Sequence, residues 1–122
     1  MQIKDWGYWY LAHPYKPDHM EQFAKCVQRT AQLMDYGLLV YSPIVHCHPP
    51  SRLMDERPSQ WWYEYDLKIM WVGGFTGIIL CDGWENSTGC KIEEAWFAQV
   101  GKKIVLFSDM LLALSRNEPE NL

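Results

Sequence analysis

The sequence predicts an α/β protein, a small doubly wound (Rossmann- or flavodoxin-like) domain with a parallel sheet of four to five strands. Short apolar runs alternate with longer segments whose apolar residues recur every three to four positions, the pattern of strands that alternate with helices. The composition is globular, with 48% hydrophobic and 21% charged residues. A chain of 122 residues suffices for one core and is too short for two. We therefore expect one domain over residues 1–122, with residues 108–122 as a C-terminal extension.

The first half of the chain contains two predicted strands and one predicted helix. The run "YWYLA" (Tyr8–Ala12) is a short apolar strand that the prolines of "HPYKPD" terminate. Asp18 is a suitable N-cap for a helix that runs to about Tyr36, and Gly37 is a natural stop. The run "LLVYSP" (Leu38–Pro43) is the second strand. The apolar residues that form the predicted inner face of the helix are Met20, Phe23, Ala24, Val27, Ala31 and Met34.

The second half begins with "IVHCHPPSRLMDERPSQ", which we interpret as a long irregular loop of the kind that forms a lid or a binding loop. Ser59 is a candidate cap for the helix that follows it. The remaining predicted elements are a helix over Gln60–Val72, a strand over Thr76–Leu80, a helix over Gly89–Val100, a strand over Lys103–Phe107 and a short helix around Asp109–Leu114.

Ligands of doubly wound domains bind beyond the carboxyl ends of the parallel strands. In this chain those ends correspond to residues 12–16, 42–48, 82–89 and 107–109, and three of these four segments carry unusual polar residues. The candidates for substrate binding in the first two segments are His13, Ser42 and His46.

Glu93 is the leading candidate for chemistry, because it lies about one turn inside the helix that follows "NSTG". The dipole of the helix N-terminus stabilises a carboxylate there by roughly 0.3–1 kcal/mol, so we expect an ionised nucleophile or base. The alternative is purely structural, with Ser87 or Thr88 as the helix cap and the glutamates as first-turn charges.

Asp66 and Tyr10 are two further candidates, and each has an ordinary alternative. Asp66 lies in the middle of an aromatic-rich helix, where aspartate is a poor helix former. Solvent exposure would explain it, whereas apolar neighbours would raise its pKa and suit it to proton donation. Tyr10 could place a phenol at the rim of a pocket, or it could be a buried strand tyrosine with a satisfied hydroxyl.

Several other classes of function are disfavoured by composition and motifs. A net charge of −4 with scattered basic residues argues against binding of nucleic acid polymers. No metal and no cofactor are expected: "HCHP" has two histidines without a third nearby ligand, and no GxGxxG or Walker motif is present. The four cysteines lack CxxC spacing and are expected to be free thiols. The sequence has neither an apolar stretch long enough to span a membrane nor a signal-like N-terminus. We therefore expect a cytoplasmic protein that does not bind membranes, located in the host cytoplasm if it is encoded by a phage.

Taken in order, the elements "YLAHPY", "SPIVHCHP", the helix with Asp66, "DGWENSTGCKIEEA" and "GKKIVLF" resemble the nucleoside 2-deoxyribosyltransferase superfamily. The sequence is most similar to a branch of small, poorly characterised bacterial and phage proteins. The deoxynucleoside 5′-monophosphate N-glycosidases are related to the same superfamily. The resemblance spans roughly residues 8–107 and depends on the order and spacing of these motifs together.

The resemblance implies a role for several residues. Ser87, Gly89 and Glu93 match the signature S-x-G-x-x-x-E, in which the glutamate attacks the anomeric carbon of the sugar. Tyr10 then orients this nucleophile, and Asp66 contacts the sugar and helps to protonate the departing base. The remaining residues with an implied binding role are Ser87 for a 5′-phosphate, Asp82 as the acid at the end of the third strand, and Trp84 among the aromatics that suit a nucleobase.

The sequence departs from the monophosphate glycosidases after the first strand, where they carry a serine and an arginine for phosphate. This chain has "HPYKP", with Lys16 as the nearest basic substitute. We therefore expect an N-glycosidase or a deoxyribosyltransferase that acts on a nucleoside or nucleotide. The alternatives are a non-catalytic module that binds a nucleotide-derived ligand, and a structural domain. Because relatives borrow pocket residues from a neighbour, a homodimer or a larger homo-oligomer is expected.

Overall fold

The computed structural model describes residues 2–122, and these residues have the predicted α/β architecture. They contain one four-stranded, all-parallel sheet with the strand order β2-β1-β3-β4. The strands are β1 (Tyr8–Ala12), β2 (Leu39–Tyr41), β3 (Gly77–Leu80) and β4 (Lys103–Leu106). The helices are α1 (His19–Asp35), α2 (Pro43–Ser51), α3 (Ser59–Val72), α4 (Thr88–Gln99) and α5 (Phe107–Ser115), with short 3-10 turns at Trp84–Asn86 and Pro119–Asn121.

Helices cover both faces of the sheet and create two separate apolar cores. Since successive side chains of a strand point to opposite faces, Trp9 and Leu11 of β1 pack with residues of α1 and α5. Tyr10 and Ala12 point the other way and pack with residues of α3 and α4. The alternation along β1 therefore places the phenol of Tyr10 on the face that α3 and α4 cover.

The orientation of α1 differs from the sequence prediction. Its buried residues are Cys26, Thr30 and Leu33, whereas Met20 and Met34 of the predicted inner face are each 58% exposed. Thr30 tolerates burial because its hydroxyl donates to the carbonyl of Cys26 (2.7 Å). The apolar stripe is therefore not the core-facing side of this helix, and of the predicted face only Phe23 is partly buried while Ala24, Val27 and Ala31 are exposed.

The predicted long loop after β2 begins with a helix, α2. Ser42 caps it by accepting a hydrogen bond from the amide of Val45 (3.2 Å), and Pro43 occupies the first turn, where a missing N–H costs little. Pro49 and Pro50 lie inside the last part of the helix. Ser51 donates to the carbonyl of His48 (2.6 Å) and helps to satisfy this end. The two prolines suggested a loop, but they shorten the helix to nine residues instead of preventing it.

Two of the three side chains predicted to cap a helix N-terminus do so in the structure. The side chain of Asp18 accepts a hydrogen bond from the amide of Glu21 (3.0 Å), and that of Ser87 accepts one from the amide of Cys90 (3.2 Å). Ser59 does not cap α3, because it is already the first helical residue and Pro58 precedes it without a side-chain cap. The Ser87 cap fixes the start of α4 and hence the position of the glutamates along it.

Gly77 lies where β3 passes closest to its two neighbouring strands. A methyl group at this position would lie 2.5 Å from the carbonyl oxygen of Lys103 and 2.8 Å from the ring of Trp9. We expect Gly77→Ala to lower the free energy of unfolding by about 1–3 kcal/mol, because the backbone of β4 must move. Denaturant unfolding followed by tryptophan fluorescence measures this change.

Gly89→Ala is the matched control for that substitution. Its added methyl group meets the ring of Tyr63 at 3.4 Å, an ordinary contact, and alanine favours the helix. It should therefore leave stability unchanged or increase it. Equal stability of Gly77→Ala and the wild type would contradict the tight strand packing.

Two expectations about the chain as a whole concern its cysteines and its helices. Cys26, Cys47, Cys81 and Cys90 are free thiols, as expected. Across residues 2–122, no helix has the length and apolar character needed to cross a membrane.

Candidate active site

Glu93 is a buried residue of α4 and points towards the sheet. It is 8% exposed, and the hydroxyl of Tyr10, itself 0% exposed, donates a hydrogen bond to Glu93 Oε2. A first-turn charge would instead face solvent, as the neighbouring helix surface does at Lys91. The purely structural explanation of Glu93 as a capping charge therefore does not fit its position.

The position of Glu93 in its helix predicted an ionised carboxylate, whereas its buried surroundings favour the protonated form. Burial is the main cause that raises the pKa of Glu93, to about 8, and the nearby charge of Asp66 raises it further. The hydrogen bond from Tyr10 acts in the opposite direction, because it stabilises the carboxylate. Desolvation exceeds the helix dipole here, so near neutral pH the unliganded protein keeps Glu93 largely protonated.

Asp66 approaches the same region from α3. Its side chain is partly buried, and burial raises the pKa of its carboxyl group to about 7. The charge of Asp66 also contributes to the raised pKa of Glu93 and of Tyr10, which places the three groups in one electrostatic cluster. The pKa of Tyr10 lies well above its ordinary value, mainly because of burial, so this phenol remains a neutral donor. We call Tyr10, Asp66 and Glu93 the carboxyl cluster.

Tyr41 and Cys47 also border the carboxyl cluster, although sequence reasoning did not select them. Tyr41 of β2 is the register partner of Tyr10 in β1, and the two rings lie 5.9 Å apart between centroids. Burial raises the pKa of the Cys47 thiol to about 12, with further contributions from Asp66 and Glu93. The alternation of side chains along β2 could have predicted that Tyr41 faces the same side of the sheet as other alternate residues. Cys47 was missed because its segment was predicted to be a loop and not the helix α2.

His13 and Ser42 have hydrogen-bonding partners outside the carboxyl cluster. His13 is buried; one ring nitrogen contacts the carbonyl of Pro14 (2.7 Å) and the other accepts from Arg29 (2.6 Å). Burial lowers its pKa, in keeping with a neutral ring that accepts from arginine. Ser42 caps α2 and contacts the Cys26 thiol at 3.2 Å. Neither side chain lies among the groups that influence Glu93.

The four candidates between β3 and α4 lie around the start of that helix. Ser87 is its cap, and Gly89 is the second residue of the helix, where an added methyl group would lie 3.4 Å from the ring of Tyr63. Trp84 is partly buried and packs against the core that contains Tyr10, whereas Asp82 is exposed. These residues therefore surround α4, and none of them bonds to Glu93.

The histidines of "HCHP" connect α2 to its neighbours. His46 is paired through its Nε2 with the hydroxyl of Tyr65 in α3 (3.2 Å). His48 is buried, is bonded to the hydroxyl of Tyr15 and stacks on the ring of Phe23 at 4.2 Å. These contacts fasten α2 on two sides and provide a structural reason for this motif.

Glu93 and Tyr10 have almost no solvent exposure in this structure, and we call this state closed. Two shallow depressions, of about 410 and 570 Å³, lie against α5 and share no residue with the cluster. A depression on the surface away from the titrating groups is a weaker functional indicator than the buried acids themselves. Because Glu93 is only 8% exposed, a ligand that reaches its carboxyl group must displace neighbouring side chains.

The arrangement is suited to acid–base and nucleophilic chemistry. Two carboxyl groups with raised pKa values can share a proton near neutral pH, which lets one donate while the other attacks or accepts. In the described part of the chain, no three His, Cys, Asp or Glu side chains are grouped in a way that could hold a metal ion.

Comparison with protein families identifies a family that covers most of the chain. A family model described as a domain of unknown function (DUF1937) matches residues 7–109, a range that contains Tyr10, Tyr41, Asp66 and Glu93. No curated protein matches the chain.

Proposed function

The chain belongs to the DUF1937 family, and we propose that it cleaves or transfers the N-glycosidic bond of a nucleoside or nucleoside 5′-monophosphate through a glycosyl-Glu93 intermediate. We further propose that this family is a branch of the nucleoside 2-deoxyribosyltransferase superfamily, which its motifs resemble. The whole proposal depends most on one observation. Glu93 and Tyr10, far apart in sequence, are hydrogen-bonded in the core beside the parallel sheet, and Asp66 lies close enough for its charge to act on both.

The reaction assigns a separate task to each of the two acids. The Glu93 carboxylate attacks the anomeric carbon, the carbon–nitrogen bond breaks, and its electron pair leaves with the base. The carboxylic acid of Asp66 gives its proton to that base, which leaves neutral. Water then attacks the anomeric carbon, Asp66 takes a proton from it, and the Glu93 carboxylate is released. A second base in place of water makes the same sequence a transfer.

Tyr10 acts as a positioning residue in this scheme. Its hydroxyl donates to Glu93 Oε2 and so fixes the carboxyl group while it stabilises the ionised, reactive form. Burial keeps the phenol itself protonated, so it does not compete as a base. Desolvation of Glu93 makes its carboxylate more reactive once formed, because a bound ligand and not water is then its nearest partner.

The proton count predicts the pH dependence of the reaction. The reactive form has Glu93 ionised and Asp66 protonated, which is one proton for the pair, and the two pKa values lie at about 8 and about 7. We expect a bell-shaped profile of kcat/KM with its maximum between about pH 7 and 8. Tyr10→Phe removes a bond that stabilises the Glu93 carboxylate, so it should raise the pKa of Glu93, move the basic limb to higher pH and lower the maximum. An activity that is flat from pH 5 to 9 would contradict the shared proton.

Base release tests the proposed reaction directly. The protein is incubated with a panel of ribo- and deoxyribonucleosides and their 5′-monophosphates, and free base is measured by chromatography with and without a second base as acceptor. Release without an acceptor indicates a hydrolase, and exchange only with an acceptor indicates a transferase. Absence of both across the panel would contradict the proposed reaction.

One observation favours a second function, the binding of a nucleotide-derived ligand without turnover. Burial keeps Glu93 protonated in the closed structure, and a neutral carboxyl group is a hydrogen-bonding partner and not a nucleophile. Retention of a nucleoside in equilibrium dialysis, with no free base after prolonged incubation, distinguishes this function from catalysis.

A further inference from the structure

Two polar atoms beside the carboxyl cluster are buried and lack a hydrogen-bond partner. They are the hydroxyl oxygen of Tyr41 and Oδ1 of Asp66, and neither has a partner anywhere in residues 2–122. Tyr41 lies next to Tyr10 in the sheet, and Asp66 faces it from α3 closely enough for its charge to act on the phenol. The two unsatisfied atoms therefore belong to the same region.

The protein offers neither atom a substitute partner. The hydroxyl of Tyr65 is already bonded to His46 Nε2 (3.2 Å). The thiol of Cys47 lies beside the phenol of Tyr41, but a thiol is only a weak hydrogen-bonding partner. Folded proteins satisfy nearly all buried polar groups, since an unpaired one costs the full desolvation penalty. Two such atoms in one region indicate a binding site in which a polar group of a ligand supplies the missing hydrogen bonds.

We propose that Tyr41 and Asp66 together bind the 2′-hydroxyl of the substrate, so that the site selects ribosyl over 2-deoxyribosyl compounds. This inference rests on the proposed function, because it assigns the substrate class of the same site. It also separates this chain from what its resemblance to deoxyribosyltransferases implies.

The chemistry of a hydroxyl group matches the two unfilled atoms. A hydroxyl both donates and accepts, so it can accept from the phenol of Tyr41 and donate to Oδ1 of Asp66. Burial is the main cause that raises the pKa of Tyr41, which keeps the phenol protonated as a donor. The second oxygen of Asp66 remains for the proton that the departing base receives.

The position of Asp66 identifies the hydroxyl concerned. Asp66 is close enough to Glu93 for its charge to act on that carboxyl group, so we assign to Tyr41 and Asp66 the hydroxyl nearest to the carbon that Glu93 attacks. The hydroxyl on the carbon next to the anomeric carbon is the 2′-hydroxyl. A 2-deoxyribosyl compound would leave both protein atoms unpaired, and sites built to bond a substrate hydroxyl reject such analogues strongly, by up to about 10⁴–10⁵-fold.

Tyr41→Phe tests the proposal through two independent measurements. In the unliganded protein it removes an unpaired buried hydroxyl, so Tm should rise by about 2–6 °C. The second measurement is the preference for ribosyl over matched 2-deoxyribosyl nucleosides, read from kcat/KM or, where turnover is absent, from the ligand-induced shift of Tm. The wild type should prefer the ribosyl compound roughly a hundredfold, and Tyr41→Phe should reduce this preference to within about threefold.

Tyr65→Phe is the matched control, because its hydroxyl is already paired with His46. It should not raise Tm and should leave the ribosyl preference intact. The 3′-deoxy nucleoside separates the two sugar positions, and the wild type should accept it more readily than the 2′-deoxy compound.

Each remaining outcome has a definite reading. Equal handling of ribosyl and 2-deoxyribosyl compounds by the wild type overturns the inference and leaves the proposed function standing. A fall in Tm for Tyr41→Phe shows that the hydroxyl is already satisfied, for example by a buried water, and also overturns it. Neither binding nor turnover of any nucleoside overturns the proposed function, and the inference fails with it.

Discussion

Replacing Glu93 with glutamine is expected to abolish base release, with kcat lowered by on the order of 10⁴-fold or more, as for the loss of other enzyme nucleophiles. Glutamine has the shape of the protonated glutamate that the closed structure favours, so it keeps a hydrogen-bonding partner for Tyr10. It cannot form an ester with the anomeric carbon, because its amide is not a comparable nucleophile. Chromatography of free base over long incubations measures the loss, and mass spectrometry of the wild type detects the glycosyl adduct.

Glu94→Gln is the control, since it makes the same substitution one position further along α4. Glu94 forms no hydrogen bond with Tyr10 and stands apart from the groups that raise the pKa of Glu93. Its variant should retain activity within about threefold. If Glu94→Gln lost as much activity as Glu93→Gln, the assignment of the nucleophile would be wrong. Nucleoside binding by Glu93→Gln without turnover would show that the site still assembles.

The second large effect concerns the stability of the unliganded protein at different pH. Glu93 and Asp66 hold protons in the folded state up to about pH 8 and about pH 7, whereas in the unfolded chain they release them near their ordinary values of 4.5 and 3.8. The folded state therefore binds more protons between these limits, and the free energy of unfolding falls as pH rises through them. At about 1.4 kcal/mol per pKa unit, the loss amounts to several kcal/mol.

Between about pH 6.5 and 8.5, the change in the free energy of unfolding reports mainly on Glu93 and Asp66. The lowered pKa values of His13 and His48 act with the opposite sign, but mainly below the ordinary histidine value of 6.5. The buried thiols, such as Cys47 with a pKa of about 12, contribute only above their ordinary value of 9.0. Urea unfolding at pH 6.5, 7.5 and 8.5 should show stability decreasing with pH.

Glu93→Gln should remove much of that slope, because glutamine has no proton to lose. The variant should be more stable than the wild type at pH 8.5 and closest to it at the lowest pH of the series. A wild-type stability that rises with pH across this window would refute the burial of two protonated acids. Glu94→Gln should retain the wild-type slope.

Local features of the sequence predicted most of the fold. The run at Tyr8–Ala12 is β1 with the predicted bounds, because prolines after it block continuation. Asp18 caps α1. Gly37 follows the end of this helix with a φ of 88°, a left-handed conformation that glycine adopts far more readily than other residues. Such signals act within a few residues, so one sequence is enough to read them.

Prediction failed where two local preferences competed. The prolines at positions 49 and 50 suggested a loop, yet α2 forms because Ser42 caps it and Pro43 suits its first turn. The methionines and alanines of α1 suggested its inner face, yet Thr30 and Cys26 are buried there. Arg29 of α1 donates to His13 (2.6 Å), and this contact accompanies the observed orientation of the helix. The partners of a helix face lie elsewhere in the chain, so the apolar pattern of α1 alone did not predict which face is buried.

The sequence by itself determined the α/β class, the parallel sheet and the choice of Glu93, Asp66 and Tyr10 as the residues of interest. The tertiary structure alone decided that the pKa of Glu93 is raised, since burial and the charge of Asp66 both depend on the packing of distant segments. It alone placed Tyr41 beside Tyr10, because strand register is a relation between distant segments. The local sequence fixes which groups are present, and the packing of distant segments fixes their charge and their partners.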